Sequence, residues 1–398
     1  MIRDFSASTV TAGFVAALVG LTSGITLLFE AARTLGADNA QIASWVAVLL
    51  VGMGVLTLIP STILRIPMMV AFSAPGAAIL ATLQPGDYQL SDAIGAFIVC
   101  GFAMAVAGFS RFFERVMNRI PVPLVSALLG GVLARFVISG FADAKTAPWL
   151  IVITTLTYMT VRRVAPRYAI VAVLLVGGAT AALSGSVQTE ELSLALARPV
   201  FMAPSFDVAA ILGIGVPLFI VTMAGQNLPG VAALRQAGYD APISNMIGTT
   251  GVGTMALAPF GGFAFNLSAV AAPLCLEAPA HEDPSRRYTA AISNGGFYLL
   301  AGLFGTSITG LLNAVPIELV HIVAALALLP TVGNSLANAV RDETHREAAM
   351  FTFVVTISGV SVAKIGSPFW GALAGVVAMA VASTGAFDRL RPRRTGRG

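Results

Sequence analysis

Two stretches decide how this chain folds: PMMVAFSAPGAAILATL, Pro67–Leu83, and PFGGFAFNLSAVAAPLC, Pro259–Cys275. Each is apolar enough for a membrane, yet neither reads as a continuous helix. Both open on alternating or β-prone residues, carry Pro or Gly beside polar residues in mid-segment, and end in small residues that suit a helix. Backbone that leaves the helix at membrane depth is tolerated only where protein or a cavity supplies its hydrogen bonds. Each stretch is therefore expected to be a short strand followed by a half-helix, held inside protein.

The surrounding composition agrees. The chain has 398 residues, 57% hydrophobic and 11% charged, against about 25% charged in a soluble domain. That excludes a soluble enzyme, a disordered chain and a nucleic-acid binder. A bilayer core needs about 20 apolar residues per helix. Apolar runs fall near 9–33, 41–60, 67–83, 91–110, 122–141, 147–161 and 167–184, then near 207–228, 242–258, 259–275, 288–312, 315–338, 347–363 and 367–385. The reading is an all-α polytopic membrane protein with 14 spans. The first run is read as a membrane helix, because it is long for a signal peptide and no clear cleavage site follows. Cys100 and Cys275 have no disulfide or metal spacing, and no cofactor or metal is expected.

Charge placement tests the count. With fourteen spans and a cytoplasmic N-terminus, 18 of the 23 cations fall on the cytoplasmic side, including the tail 386–398, and the C-terminus is cytoplasmic too. Four (Arg33, Lys145, Arg198 and Lys364) fall outside, and Arg135 sits within a span. Dropping either anomalous segment inverts everything after it and destroys the bias.

The halves also repeat. AARTLGAD (Ala31–Asp38) and ALRQAGYD (Ala233–Asp240) align at a constant offset of 202. Both anomalous segments come third in their halves, 1–184 and 207–385, and seven spans per half makes the halves inverted. Interrupted segments at matching places in inverted halves point to a transporter's substrate site.

Candidate site residues cluster at these breaks. In Phe72-Ser73-Ala74-Pro75-Gly76, Pro suits the first turn of a half-helix, and Asn266 stands where the second half-helix would have its N-cap. Two such N-termini would aim N–H groups at one anion; the bland alternative is a pair of kinks in ordinary helices. Gln226 and Asn227 are adjacent amides in an apolar run, costly to bury without partners. They either contact a substrate carboxylate or bridge neighbouring helices. Pro229 should free a backbone carbonyl near Gly225. Phe72, Phe263 and Phe265 flank the presumed helix starts as candidate pocket walls. Glu30 is the one carboxylate set inside a span; it pairs with Arg135 or reaches the interface beside Arg33. Glu318 and His321, three apart on one helix face, read as interface anchors, with a proton relay as the alternative. A membrane enzyme would need clustered His or acidic residues on facing helices, and there are none in the sequence pattern.

These residues carry a resemblance. FSAPGAA (Phe72–Ala78), VAPRYAI (Val164–Ile170), PLFIVTMAGQNLPGVAALRQAGY (Pro217–Tyr239), APFGGFAFNLSAVAAPLC (Ala258–Cys275), AHEDPSRRY (Ala280–Tyr288) and FYLLAGLFGTSITGLL (Phe297–Leu312) are similar to the benzoate:proton symporter family. That family is similar in fold to the uracil and anion transporters. The resemblance implies a bacterial inner-membrane homodimer importing benzoate or a related aromatic carboxylate with protons, by elevator-like movement. It implies a core of spans 1–4 and 8–11 and a gate of spans 5–7 and 12–14. The carboxylate would meet backbone N–H groups at Ser73, Ala74 and Gly76 and near Asn266, with Gln226 and Asn227 beside it and Phe72, Phe263 or Phe265 on the ring. Many members carry Gln where this chain has Glu30, and some carry His where it has Phe263, which leaves Glu30 as the proton-coupling candidate and Arg135 as a structural or gate charge. The alternative is a carrier of another small organic anion or a nucleobase on the same fold.

Overall fold

The computed structural model describes residues 4–84, 86–110, 121–188, 194–268, 271–362 and 365–383. The basic tail 386–398 lies outside them, as do Arg111, Arg115, Arg119 and Lys364. The first half comprises α1 (Ala7–Thr34), α2 (Asn39–Leu64), β1 (Val70–Phe72), α3 (Ala74–Ala81), α4 (Leu90–Phe109), α5 (Val122–Ala142), α6 (Pro148–Val164) and α7 (Ala169–Leu183). The second comprises α8 (Val208–Gln236), α9 (Ile243–Leu257), β2 (Phe265–Leu267), α10 (Ala272–Leu276), α11 (Tyr288–Leu303), α12 (Gly305–Ala314), α13 (Ile317–Arg341), α14 (Arg346–Ser358) and α15 (Ser367–Ser383). The protein is mainly helical and membrane-like. Among the described residues, α1, α2, α4, α5, α8 and α13 are long and apolar enough to cross a bilayer alone, and α11 with α12, bent by 67°, makes a seventh span if the pair counts as one.

Local chemistry explains where elements begin and end. Ser6 with Thr9, and Asp38 with Gln41, form capping boxes that satisfy the first N–H groups of α1 and α2. Both copies of the repeated octapeptide close their helices with the same three bonds. Leu35 N–H donates to Ala31 O, Gly36 to Arg33 O and Ala37 to Ala32 O; at the offset of 202, Ala237 donates to Ala233 O, Gly238 to Arg235 O and Tyr239 to Leu234 O. This is a Schellman end, which needs a left-handed residue. Glycine supplies it both times, at φ +79° in Gly36 and +84° in Gly238.

The two anomalous stretches form the expected strands, and they pair with each other. β1 and β2 run antiparallel with Val70 opposite Leu267, Ala71 opposite Asn266 and Phe72 opposite Phe265. A two-stranded sheet inside a membrane protein has two buried edges, whose N–H groups need acceptors. Thr57 of α2 accepts from Val70 at 2.9 Å, Thr254 of α9 accepts from Phe265 at 3.1 Å, and Asn227 of α8 accepts from Leu267 at 2.8 Å. Side chains from three helices thus close the ladder. β1 then feeds α3, but α10 is a single helical turn, shorter than the half-helix expected.

Packing follows this centre. α2 lies along α11, α4 along α9, and α1 against α3 and α11. α5, α6, α7, α13, α14 and α15 pack among themselves, with α5 against α13 as their spine. The two sets meet where α1 touches α13 and α7, α3 touches α5, and α8 touches α5 and α15.

Candidate functional site

The ends of the paired strands adjoin a cavity of about 300 Å³, at the small end of the range for small-molecule pockets. The first break lines it with Ala71, Phe72, Ala74 and Pro75, the second with Ser268 and Ala271, and α8 with Gln226. Gly20 and Gly24 of α1 and Tyr298 of α11 also line it. Gly24 is there for clearance: a Cβ would stand 2.5 Å from Cζ of Phe72. The remaining wall comes from the middle of α13, through Ala327, Leu328, Pro330, Thr331 and Asn334.

Chain chemistry places each polar group. Ser73 is buried and caps α3, accepting from Gly76 N–H at 3.1 Å. That commits the Gly76 N–H and leaves the first helical residue, Ala74, on the cavity wall with an N–H that has no acceptor within the helix. Across the cavity, Ser268 Oγ accepts from Ala271 N–H at 3.2 Å. Ser268, rather than Asn266, is therefore the side chain that takes up the backbone N–H just before α10. Asn266 stands in β2, opposite Ala71, because the strand runs on to Leu267 instead of ending before Asn266. Its Nδ2 donates to Ala264 O at 3.0 Å, while its buried Oδ1 has no partner among the described residues. Ala264 O also accepts from Ser73 N–H at 3.1 Å, and Ala264 holds a left-handed backbone, φ +46°, a conformation costing an Ala roughly 1–2 kcal/mol.

The two adjacent amides separate in role. Both lie in a π-helical turn, Met223–Asn227, that precedes Pro229; a second, Ile211–Gly215, precedes Pro217. The wide turn moves carbonyls away from the following ring, so α8 continues through both prolines. It also rotates Gln226 and Asn227 to different surroundings. Gln226 is half-buried and lines the cavity. Asn227 is fully buried, with Oδ1 on Leu267 N–H and Nδ2 toward Met223 Sδ at 3.2 Å; it bridges helix to strand.

The three phenylalanines also divide. Phe72 faces the cavity and meets Phe263 edge-on at 6.0 Å. Phe263 lies behind it, stacked on Phe97 at 5.1 Å and beside Trp45 at 5.8 Å. Phe265 is fully buried against Gly52, where a Cβ would stand 2.4 Å from Cζ of the ring. Phe263 and Phe265 support the wall rather than form its surface.

Glu30 has a different partner from either expected. It does not meet Arg135, whose guanidinium instead lies over Gly359, within 2.5 Å of where a Cβ would be. Glu30 Oε2 faces His321 Nε2 at 3.3 Å, and His321 Nδ1 meets Asp143 Oδ2 at 2.6 Å. His321, read as an interface anchor, is thus clasped between two carboxylates where α1 meets α13. No group of His, Cys, Asp and Glu among the described residues has metal-holding geometry.

Sequence reasoning missed the α13 wall. Its available signal was Pro330 in mid-helix with Thr331 and Asn334 three apart on one face. In an apolar span that pattern also describes an ordinary lipid-sheltered surface.

A profile of the family described as benzoate membrane transport protein matches residues 3–381. "Inner membrane protein YdcO" of Escherichia coli is 40% identical over 373 residues, covering 94% of this chain and 95% of the relative. "Benzoate membrane transport protein" of Acinetobacter baylyi is 32% identical over 376 residues, covering 94% and 95%. Among solved structures, SLC26A9 superposes with TM-score 0.62 at 12% identity, over 96% of this chain and 66% of that one. The transmembrane domain of the cyanobacterial bicarbonate transporter BicA gives 0.56 at 11% identity, over 94% and 98%. At such identities the structural likeness establishes the fold.

Proposed function

The chain belongs to the benzoate membrane transport protein family, a family of transporters and not of enzymes, and on that premise we propose that it carries benzoate or a related aromatic carboxylate inward with protons. The carboxylate sits at the Ala74 N–H and the Gln226 amide, and the ring packs on Phe72. Ser73 and Gly76 shape that helix start, while Asn227, Asn266, Phe263 and Phe265 hold the ladder behind it. The observation that carries this reading is the cavity itself. It combines an aromatic face, a helix N-terminus and a side-chain amide, which are the groups a flat acid needs.

The proposed architecture has fourteen spans in two inverted sets of seven, 1–184 and 207–385. The matching helix ends at an offset of 202 support it. So do Thr57 and Thr254, which close opposite edges of the ladder from the second helix of each half. Spans 1–4 and 8–11 form the moving core and spans 5–7 and 12–14 the gate, in keeping with the two packing sets. An elevator-like shift of core against gate carries the cavity across, in a homodimer in the bacterial inner membrane with both termini cytoplasmic. Glu30, at the seam between the sets, is the proton-coupling acid, and Arg135 is a charge of the gate.

Uptake of labelled benzoate into proteoliposomes, with and without an inside-alkaline pH gradient, tests this directly. Gradient-stimulated, saturable uptake is expected. No stimulation for any aromatic acid sinks the symport reading, and stabilisation by another anion or a nucleobase alone in a thermal-shift panel moves the substrate.

A further inference from the structure

The clasp around His321 has a donor deficit that a proton can fill. An ionised carboxylate only accepts hydrogen bonds, and a neutral imidazole has one N–H donor. In this structure both ring nitrogens face carboxylates: Nδ1 at 2.6 Å from Asp143 and Nε2 at 3.3 Å from Glu30. A neutral ring between two carboxylates can serve one of them and must present a lone pair to the other. Both contacts are satisfied only when the three groups together hold one extra proton, on the ring or on either acid.

The three residues also come from different packing sets. Glu30 stands on α1, which packs mainly on α11 and α3 and meets α13 across the seam, whereas His321 stands on α13 and Asp143 at the end of α5. Glu30 lies six residues beyond Gly24 and His321 six before Ala327, and Gly24 and Ala327 both line the cavity. At about 1.5 Å per residue the clasp is therefore about 9 Å from the cavity along both helices. Between them, Leu27, Leu28, Phe29, Ile322, Val323, Ala324, Ala325 and Leu326 are buried and seal the seam. On the opposite side the cavity continues to the exposed Asn334. The clasp thus sits at the closed end. Its side chains are 21–26% exposed, while Glu30 Oε2 itself is buried.

We propose that Glu30, His321 and Asp143 form a one-proton latch, in which His321 and Asp143 position Glu30 and the shared proton holds the seam between α1 and α13 shut. This rests on the two-group movement proposed above and deepens the role given there to Glu30. Loss of the proton leaves one carboxylate facing a lone pair, and the seam opens. Other charges near the latch are Arg33 on α1, Lys145 after α5 and Glu318 on α13. Arg33 lies over the Phe29 ring at 5.5 Å. α7 carries no titratable residue, and the charged residues of α6 and α14 lie in their far-end turns.

The test measures the seam itself. Spin labels at Ala40→Cys and Thr146→Cys, both exposed and on opposite sides of the seam, report its opening in the full-length protein in nanodiscs without benzoate. Native Cys100 and Cys275 are buried and remain unlabelled. Between pH 5 and 8 the ratio of short to long distances should fall by up to about tenfold per pH unit, the slope of one linked proton. Glu30→Gln and Asp143→Asn bring a permanent donor to the ring and should hold the short distance across the range. His321→Ala should abolish the slope, and His345→Asn, at the other end of α13, should preserve it. A wild-type ratio that ignores pH overturns the latch, as does an unchanged slope in Glu30→Gln, Asp143→Asn or His321→Ala. Should one variant fail to fold, the other two decide. A normal slope in a protein that moves no aromatic acid keeps the latch and removes the substrate reading.

Discussion

Gln226 and Asn227 look alike in the sequence and differ in what they touch. Asn227 Oδ1 is the acceptor for the buried Leu267 N–H, so Asn227→Ala leaves that donor unsatisfied, at about 1–3 kcal/mol. Thermal unfolding of the purified protein should show a clear loss of stability. Gln226 lines the cavity and has no such structural duty, so Gln226→Ala should leave the melting temperature nearly unchanged. It should instead weaken benzoate binding roughly 10–100-fold, the equivalent of one hydrogen bond to a charged group, as read by titration calorimetry. Normal affinity in Gln226→Ala removes that residue from the site. The sequence could name the pair because buried amides are rare in apolar spans. It could not divide their roles, since the division depends on the π-helical turn and on where the β2 edge falls.

At the scale of elements, what was legible was whatever has a local chemical cause. The two strands were visible as breaks in apolar runs, and their mutual pairing supplies the partners such breaks require. The octapeptide repeat marked two helix ends, which prove to share one hydrogen-bond pattern. This makes a paired prediction. Around Gly36 and Gly238 a Cβ would meet no atom within 4 Å, so Gly36→Ala and Gly238→Ala pay only for left-handed backbone, about 1 kcal/mol each. Similar falls in thermal stability are expected in both, and a neutral result in one would show that its end is not built like the other. What stayed illegible depends on distant partners. Asn266 resembles an N-cap by spacing, but the ladder extends past it, and Ser268 is the side chain that accepts from the backbone before α10. Glu30 offers no local clue to His321, 291 positions away, and the α13 wall of the cavity is set by helix packing alone.

For the whole molecule, the fourteen-span proposal makes a prediction about which loops share a side, and the contacts bear on it. Arg33, Asp38, Asn39, Ser186, Gln188, Asn313 and Pro316 surround one cleft, and Gln188 N–H donates to Ala314 O at 2.8 Å. Elsewhere Tyr288 OH donates to Asp4 at 2.7 Å, and Tyr239 OH donates to Pro284 O at 2.8 Å. In the fourteen-span order, every one of these pairs is separated by an even number of crossings, as loops on the same side must be. Omitting Pro67–Leu83 alone would put Arg33 and Gln188 on opposite faces of the membrane, though the structure places them in one cleft. The cations then assign the sides, since the Asp4, Tyr239 and Pro284 end carries the excess of Arg. Cysteines introduced at Asn39, Thr146 and Asn313 should therefore react with a membrane-impermeant maleimide on intact cells. Those at Asp240 and Glu343 should react only after permeabilisation, with buried Cys100 and Cys275 silent throughout. A wholly reversed pattern would keep the span count and invert the protein, while a mixture within either group would break the count itself.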